Sequence, residues 1–96
     1  MGAADFFSYA VGDTPEQAFD DAVIKAQHDF GHSGYSGTIA EKDTFCMIDV
    51  PEGREPHDYA GCMLQDDDPR INDKWGDAGC IKLGDKKYLF FGWASS

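Results

Sequence analysis

Residues that can bind a ligand are concentrated in one stretch, HDFGHSGYSGTIAEKD at residues 28–43. It contains two of the three histidines, three glycines, two serines, a threonine and a tyrosine. Glycines allow positive φ angles and close approach of the backbone to a ligand, and successive backbone N–H groups can hold a phosphate. The stretch predicts a loop for a phosphate- or nucleotide-sized ligand. The alternative is a helix C-cap followed by an ordinary loop.

The polar and aromatic residues around this loop have distinct predicted roles. Backbone N–H groups would hold the phosphates, assisted by hydroxyl, imidazole and ammonium groups, while Tyr35 or Trp75 would stack on a base. Glu41 would accept from sugar hydroxyls or belong to a solvated strand edge, and Trp75 would otherwise pack in the core. The predicted ligand-binding residues are His28, His32, Ser33, Tyr35, Ser36, Thr38, Glu41, Lys42 and Trp75.

Metal binding and covalent catalysis have weaker signals. His28 and His32 are four residues apart, as zinc ligands on one helix face are, but Gly31 is expected to end the helix between them. A metal-dependent hydrolase built on this pair is the weakest of the three hypotheses. No G-x-S-x-G motif is present, and Cys46 lies in an apolar stretch where thiols are usually inert. We therefore expect a binding protein rather than an enzyme, with no catalytic residue, metal or cofactor.

The charge balance argues against one class of partner. Eighteen acidic residues stand against eight basic ones, a formal net charge of −10. Binding a nucleic-acid backbone requires clustered Lys and Arg, so direct nucleic-acid binding is not expected. A face of carboxylates could instead imitate the charge of DNA and occupy a basic site on another protein. The residues predicted for that face are Glu52, Glu55, Asp58, Asp66, Asp67, Asp68, Asp73 and Asp77.

The cysteine spacing and the N-terminus indicate an intracellular location. Cys46, Cys62 and Cys80 are odd in number and widely spaced, which favours a reducing compartment over a disulfide framework. Residues 1–12 lack the basic and apolar regions of a signal peptide, and no stretch approaches the roughly 20 apolar residues of a membrane helix. We expect one cytoplasmic domain spanning residues 1–96.

Cap and turn signals predict an α+β fold. A helix over residues 14–30 would begin with Thr14 as N-cap, Pro15 in the first turn and Gln17 in a capping box. Strands are predicted at 6–11 and 44–50, followed by an acidic irregular segment with a short helix near 57–64. A terminal hairpin would turn at Gly84-Asp85. This β-α-β-irregular-β-β order predicts one main helix on a mostly antiparallel sheet of about four strands.

The helix and loop also resemble a segment of small uncharacterised tailed-bacteriophage proteins. In that family a helix of the form A-F-x-x-A-V runs into G-H-x-G-Y-[ST]-G-T-I-A-E-K. The matching residues are Ala18, Phe19, Ala22, Val23, Gly31, His32, Gly34, Tyr35, Ser36, Gly37, Thr38, Ile39, Ala40, Glu41 and Lys42. The resemblance implies a phage accessory protein that acts in the infected bacterial cell, for example against host defence.

Two functional hypotheses rank above the metal-dependent hydrolase. The first is a phage anti-defence protein that sequesters a small nucleotide-derived signalling molecule. The alternative is an acidic DNA mimic or inhibitor of a basic host protein. A homo-oligomer is expected, because 96 residues do not easily enclose a ligand and because the apolar terminal strand needs cover.

Overall fold

The computed structural model describes residues 3–30, 37–73 and 76–95. These ranges contain, in order, β1 (Ala3–Val11), α1 (Pro15–Phe30), a 3₁₀ helix (Ile39–Glu41), β2 (Phe45–Met47), α2 (Pro56–Gln65), β3 (Ala78–Gly84) and β4 (Lys87–Ser95). The predicted α+β class is confirmed, including the main helix and the four-stranded sheet. The predicted helix end at Gly31 lies outside the described residues.

The sheet has the strand order β1-β4-β3-β2. β4 is antiparallel to both β1 and β3, whereas β2 runs parallel to β3. The sheet is therefore mostly antiparallel, as predicted. β2 is shorter than the predicted strand at 44–50, although the N–H of Ile48 still donates to the Cys80 carbonyl at 2.8 Å. Pro51 follows and has no N–H with which to extend the pairing.

The terminal strand β4 lies in the middle of the sheet and is covered on both faces. Its residues alternate between two hydrophobic clusters, because successive side chains of a strand point to opposite faces. Tyr88 and Phe90 face α1, and Leu89 and Phe91 face α2. We expected this apolar strand to need cover from a second chain. That reason for a homo-oligomer is wrong, because the protein's own helices and neighbouring strands provide the cover.

The start of α1 follows the predicted cap closely. The N–H of Gln17 donates to Thr14 Oγ1 at 3.2 Å, while Gln17 Oε1 accepts from the N–H of Asp13 at 3.1 Å. In a capping box the Gln17 side chain would accept from the N–H of the N-cap residue, Thr14, whereas here it accepts from the residue before it, Asp13. Ala18 is buried against the sheet, and a Cβ on Gly12 would lie 2.6 Å from the Ala18 nitrogen. Small residues therefore let α1 pack directly on the sheet.

The hairpin between β3 and β4 turns one residue later than predicted. The turn residues are Asp85 and Lys86, and Gly84 pairs with Lys87 at the end of the ladder. Lys86 has a φ of 63°, the left-handed conformation that such tight turns require. The register shifts between Lys82 and Gly84, which moves the turn away from the predicted Gly84-Asp85 pair.

The acidic segment contains the predicted short helix, α2. Glu55 caps it by accepting from the N–H of Asp58 at 2.7 Å, and Pro56 occupies its first turn. Its buried residues pack on the face of the sheet opposite α1. Neither helix, within the described ranges, is long and apolar enough to cross a membrane.

Candidate ligand-binding cleft and acidic surfaces

A cleft of about 380 Å³ opens between β1 and α1. Small-molecule sites commonly enclose about 300 to 1,000 Å³ and combine an apolar wall with a few polar groups. The residues that line it are Phe6, Phe7, Ser8, Tyr9, Ala22, Lys25, Ala26, Asp29 and Thr38. This β1–α1 cleft has the size and the mixed lining of a ligand site.

The polar groups of the β1–α1 cleft are well suited to a small polar ligand. Ser8 and Thr38 provide hydroxyls, Lys25 an ammonium group and Asp29 a carboxylate. Lys25 Nζ lies 3.0 Å from Asp21 Oδ2, but both side chains are exposed, so this pair is weak. Tyr9 also lines the cleft, but its ring lies on the opposite face of the sheet, nearly parallel to the His57 ring at 6.3 Å.

Thr38 connects the predicted glycine-rich loop with this cleft. Its Oγ1 caps the 3₁₀ helix by accepting from the N–H of Ala40 at 3.2 Å, and its neighbour Ile39 is buried in the core below α1. Thr38 is thus held in the cleft wall by local structure.

His28 lies exposed in the last turn of α1 and is not among the lining residues. The predicted ligand residues that lie outside the described parts of the chain are His32, Ser33, Tyr35, Ser36 and Trp75.

Lys42 has a structural role instead of the predicted contact with an anion. Its side chain is only 3% exposed, and Nζ donates to the carbonyl oxygens of Asp73 at 3.1 Å and Gly76 at 3.0 Å. Burial lowers the pKa of Lys42, while the nearby charges of Asp73 and Asp77 raise it. The ammonium group therefore ties the 3₁₀ helix region to the segment before β3. Glu41 is half-buried beside it.

The carboxylates predicted to form one acidic face are spread over the two ends of α2 and the segment before β3, where Asp73 and Asp77 lie near Lys42. Asp58 lies in its first turn and Asp66 caps its last, a separation of about 12 Å along the helix axis. Asp68, beyond that end, forms an ion pair with Arg70 at 2.9 Å, which lowers the pKa of the Asp68 carboxyl. The structure therefore does not bring the predicted set into one cluster.

A different group of carboxylates does come together. Glu16 and Asp20 on α1 and Asp43 before β2 line a depression of about 310 Å³, which we call the acidic depression. Beside it, the Thr44 hydroxyl donates to the Asp77 carboxylate. Sequence reasoning missed this group because its members come from two separate segments. The available signal was the four-residue spacing of Glu16 and Asp20, which places both on one helix face.

The three cysteines are free, in agreement with the predicted absence of a disulfide framework. Cys80 is fully buried, and burial raises the pKa of its thiol to about 12. Burial also raises the pKa of the Cys46 thiol. Both thiols therefore remain protonated near neutral pH. Cys62 is half-buried and accepts from Arg54 Nη2 at 3.4 Å.

The fold and the cleft together define a small α+β protein with a mixed four-stranded sheet, within the described residues, and a ligand-sized opening at one edge. Comparison of the chain with protein-family models, curated proteins and solved structures gave no match. The geometry of the cleft and of the acidic depression carries the functional argument.

Proposed function

We propose that this protein is a non-enzymatic binding protein that sequesters a small nucleotide-like molecule in the β1–α1 cleft. The observation that carries the proposal is a cleft of about 380 Å³ with Thr38, which follows the last glycine of residues 28–43, in its wall. The resemblance to phage proteins favours a nucleotide-derived defence signal as the ligand, bound in the cytoplasm of the infected cell. A homo-oligomer remains part of the proposal.

The cleft residues suggest how such a ligand would be held. The apolar wall formed by Phe6, Ala22 and Ala26 would contact a base. Lys25 would contact a phosphate, and the Ser8 and Thr38 hydroxyls would hydrogen-bond the sugar or phosphate oxygens. The net charge of −10 repels an anion at long range, but salt screens this repulsion beyond about 8 Å. Short-range contacts therefore decide affinity.

Replacing Lys25 with methionine tests this arrangement. A hydrogen bond to a charged group contributes about 1.5 to 3 kcal/mol, so Lys25→Met is expected to weaken ligand binding about ten-fold or more. The protein would first be purified from infected cells and weighed by native and denaturing mass spectrometry, which gives the ligand mass and the oligomeric state. Affinities of the released compound, and of a panel of linear and cyclic nucleotides, would then be measured by calorimetry.

Ile24→Ala is the matched control, because Ile24 is 63% exposed on α1 and is not a lining residue of the cleft. It should leave the affinity unchanged. Equal affinities for Lys25→Met and the unmodified protein, with a bound nucleotide present, would place the ligand elsewhere. If neither the purified protein nor the panel yields a bound nucleotide, the proposed ligand class is wrong.

The acidic depression supports a second candidate function, docking on a basic host protein. Glu16, Asp20 and Asp43 are exposed around the half-buried Phe45, so carboxylates surround an apolar centre. Complementary charge steers association and makes it sensitive to salt. The surface therefore fits a cationic partner that also offers an apolar side chain.

Neutralising these three carboxylates tests the second candidate. A Glu16→Gln, Asp20→Asn, Asp43→Asn protein is expected to lose at least ten-fold in affinity for a basic partner captured at low salt. A Glu52→Gln, Asp66→Asn, Asp85→Asn protein is the control, since it changes net charge equally at exposed positions elsewhere. An equal loss in both proteins would show that overall charge, not the depression, attracts the partner.

A further inference from the structure

Three possible metal ligands converge at the start of α2, away from the β1–α1 cleft. The side-chain donor atoms of Glu55, His57 and Asp58 all lie within 4.8 Å of one another, and all three residues are exposed. They offer one imidazole nitrogen and two carboxylate groups. Sequence reasoning assigned Glu55 and Asp58 to an acidic face and left His57 isolated, although the stretch Glu-Pro-His-Asp contains the whole set.

The local structure holds two of these groups in place. Glu55 is the N-cap of α2, and its Oε2 accepts from the N–H of Asp58 at 2.7 Å, which fixes the carboxylate above the first turn. The His57 ring stacks on Phe7 with centroids 4.4 Å apart, and it lies nearly parallel to Tyr9 at 6.3 Å. Because β1 supports the imidazole from one side, its nitrogens are limited to few orientations.

The electrostatic surroundings favour a cation at this position. The N-terminus of a helix carries about half a positive charge, which is smaller than the combined negative charge of the two carboxylates. The neighbouring Arg54 is engaged along α2, where its guanidinium carbon lies 5.2 Å from the Tyr59 ring centroid and Nη2 contacts Cys62. Arg54 lines the same surface opening and offsets one of the two carboxylate charges, so the local charge around Glu55 and Asp58 is only slightly negative.

We propose that Glu55, His57 and Asp58 bind a divalent transition-metal ion such as Zn²⁺. Imidazole and carboxylate groups suit this class of ion. Donor atoms around one such ion lie about 3 to 3.5 Å apart, so the exposed side chains must close slightly from their present spacing. Three protein donors leave coordination positions for water.

The experiment is a titration of the full chain with Zn²⁺ alone. Binding is measured by calorimetry and by the NMR signals of the three imidazoles. One-site binding that shifts the His57 signal is expected. Asp58→Asn is expected to weaken binding at least ten-fold, because it removes one charged donor from an exposed position. Asp66→Asn, which removes the same charge at the other end of α2, should leave binding unchanged. His57 itself is a poor test position because it also stacks on Phe7.

His28→Gln and Cys62→Ser distinguish this site from other possible zinc ligands. Both variants should retain Zn²⁺ binding if the proposal is correct. The proposal is wrong if the unmodified protein gives no heat of Zn²⁺ binding. It is also wrong if His28→Gln or Cys62→Ser loses binding while Asp58→Asn binds fully. Since no nucleotide takes part, the result is independent of the function proposed for the cleft.

Discussion

Replacing Phe90 with alanine is expected to lower the free energy of unfolding by about 3 to 5 kcal/mol. Phe90 is fully buried in the central strand β4. Its ring centroid lies 5.5 Å from those of both Phe19 on α1 and Phe45 on β2. Removing the ring would leave a cavity where the helix, the edge strand and the central strand meet. Urea unfolding followed by circular dichroism measures the change.

Two further variants make the Phe90 result interpretable. Phe90→Leu retains most of the buried volume, so its smaller loss remains measurable even if Phe90→Ala does not fold. Ile24→Ala removes an exposed aliphatic side chain from α1 and should change stability by less than about 0.5 kcal/mol. A Phe90→Ala value close to that of Ile24→Ala would mean that Phe90 is not in the core.

Replacing Lys42 with methionine is expected to lower the free energy of unfolding by about 2 to 3 kcal/mol. A hydrogen bond from a charged group contributes about 1.5 to 3 kcal/mol, and Lys42 Nζ donates to both Asp73 and Gly76 carbonyl oxygens. The substitution keeps the apolar stem but leaves these carbonyls without that donor. Part of the loss is offset because a buried ammonium group no longer has to be desolvated. The same urea titration measures the difference.

Lys87→Met is the control for Lys42, because Lys87 is exposed at the start of β4. It should change stability by less than about 0.5 kcal/mol. The pair also separates the structural role of Lys42 from the anion-binding role that its sequence position predicted. If Lys42→Met lowers ligand affinity and leaves stability unchanged, Lys42 binds the anion as the sequence predicted and does not have the structural role.

The edge strand β1 connects the two proposed sites. Phe7 and Tyr9 of this strand line the β1–α1 cleft, and their rings lie against His57 of the proposed metal site on the other face of the sheet. A change at one site can therefore reach the other through β1. For this reason the Lys25→Met binding measurement belongs in metal-free buffer, so that the loss of the cleft contact is measured alone.

Local sequence signals were sufficient to predict most of the individual elements. Thr14, Pro15 and Gln17 placed the start of α1, because a helix cap depends on residues within one turn. The apolar run before the C-terminus predicted a strand, and the acidic segment predicted a short helix at the position of α2. The hairpin turn was misplaced by one residue, since the register shift near Gly84 depends on cross-strand pairing.

The sequence by itself determined the α+β class, the capped main helix, the mostly antiparallel sheet and the excess of negative charge. Only the tertiary structure decided that β4 is central, that Lys42 is buried, that Glu16 and Asp20 meet Asp43, and that His57 lies on Phe7. The physical reason is the range of the interactions. Caps and turns involve neighbours in the chain, whereas strand order, burial and convergent side chains depend on packing between segments far apart in sequence.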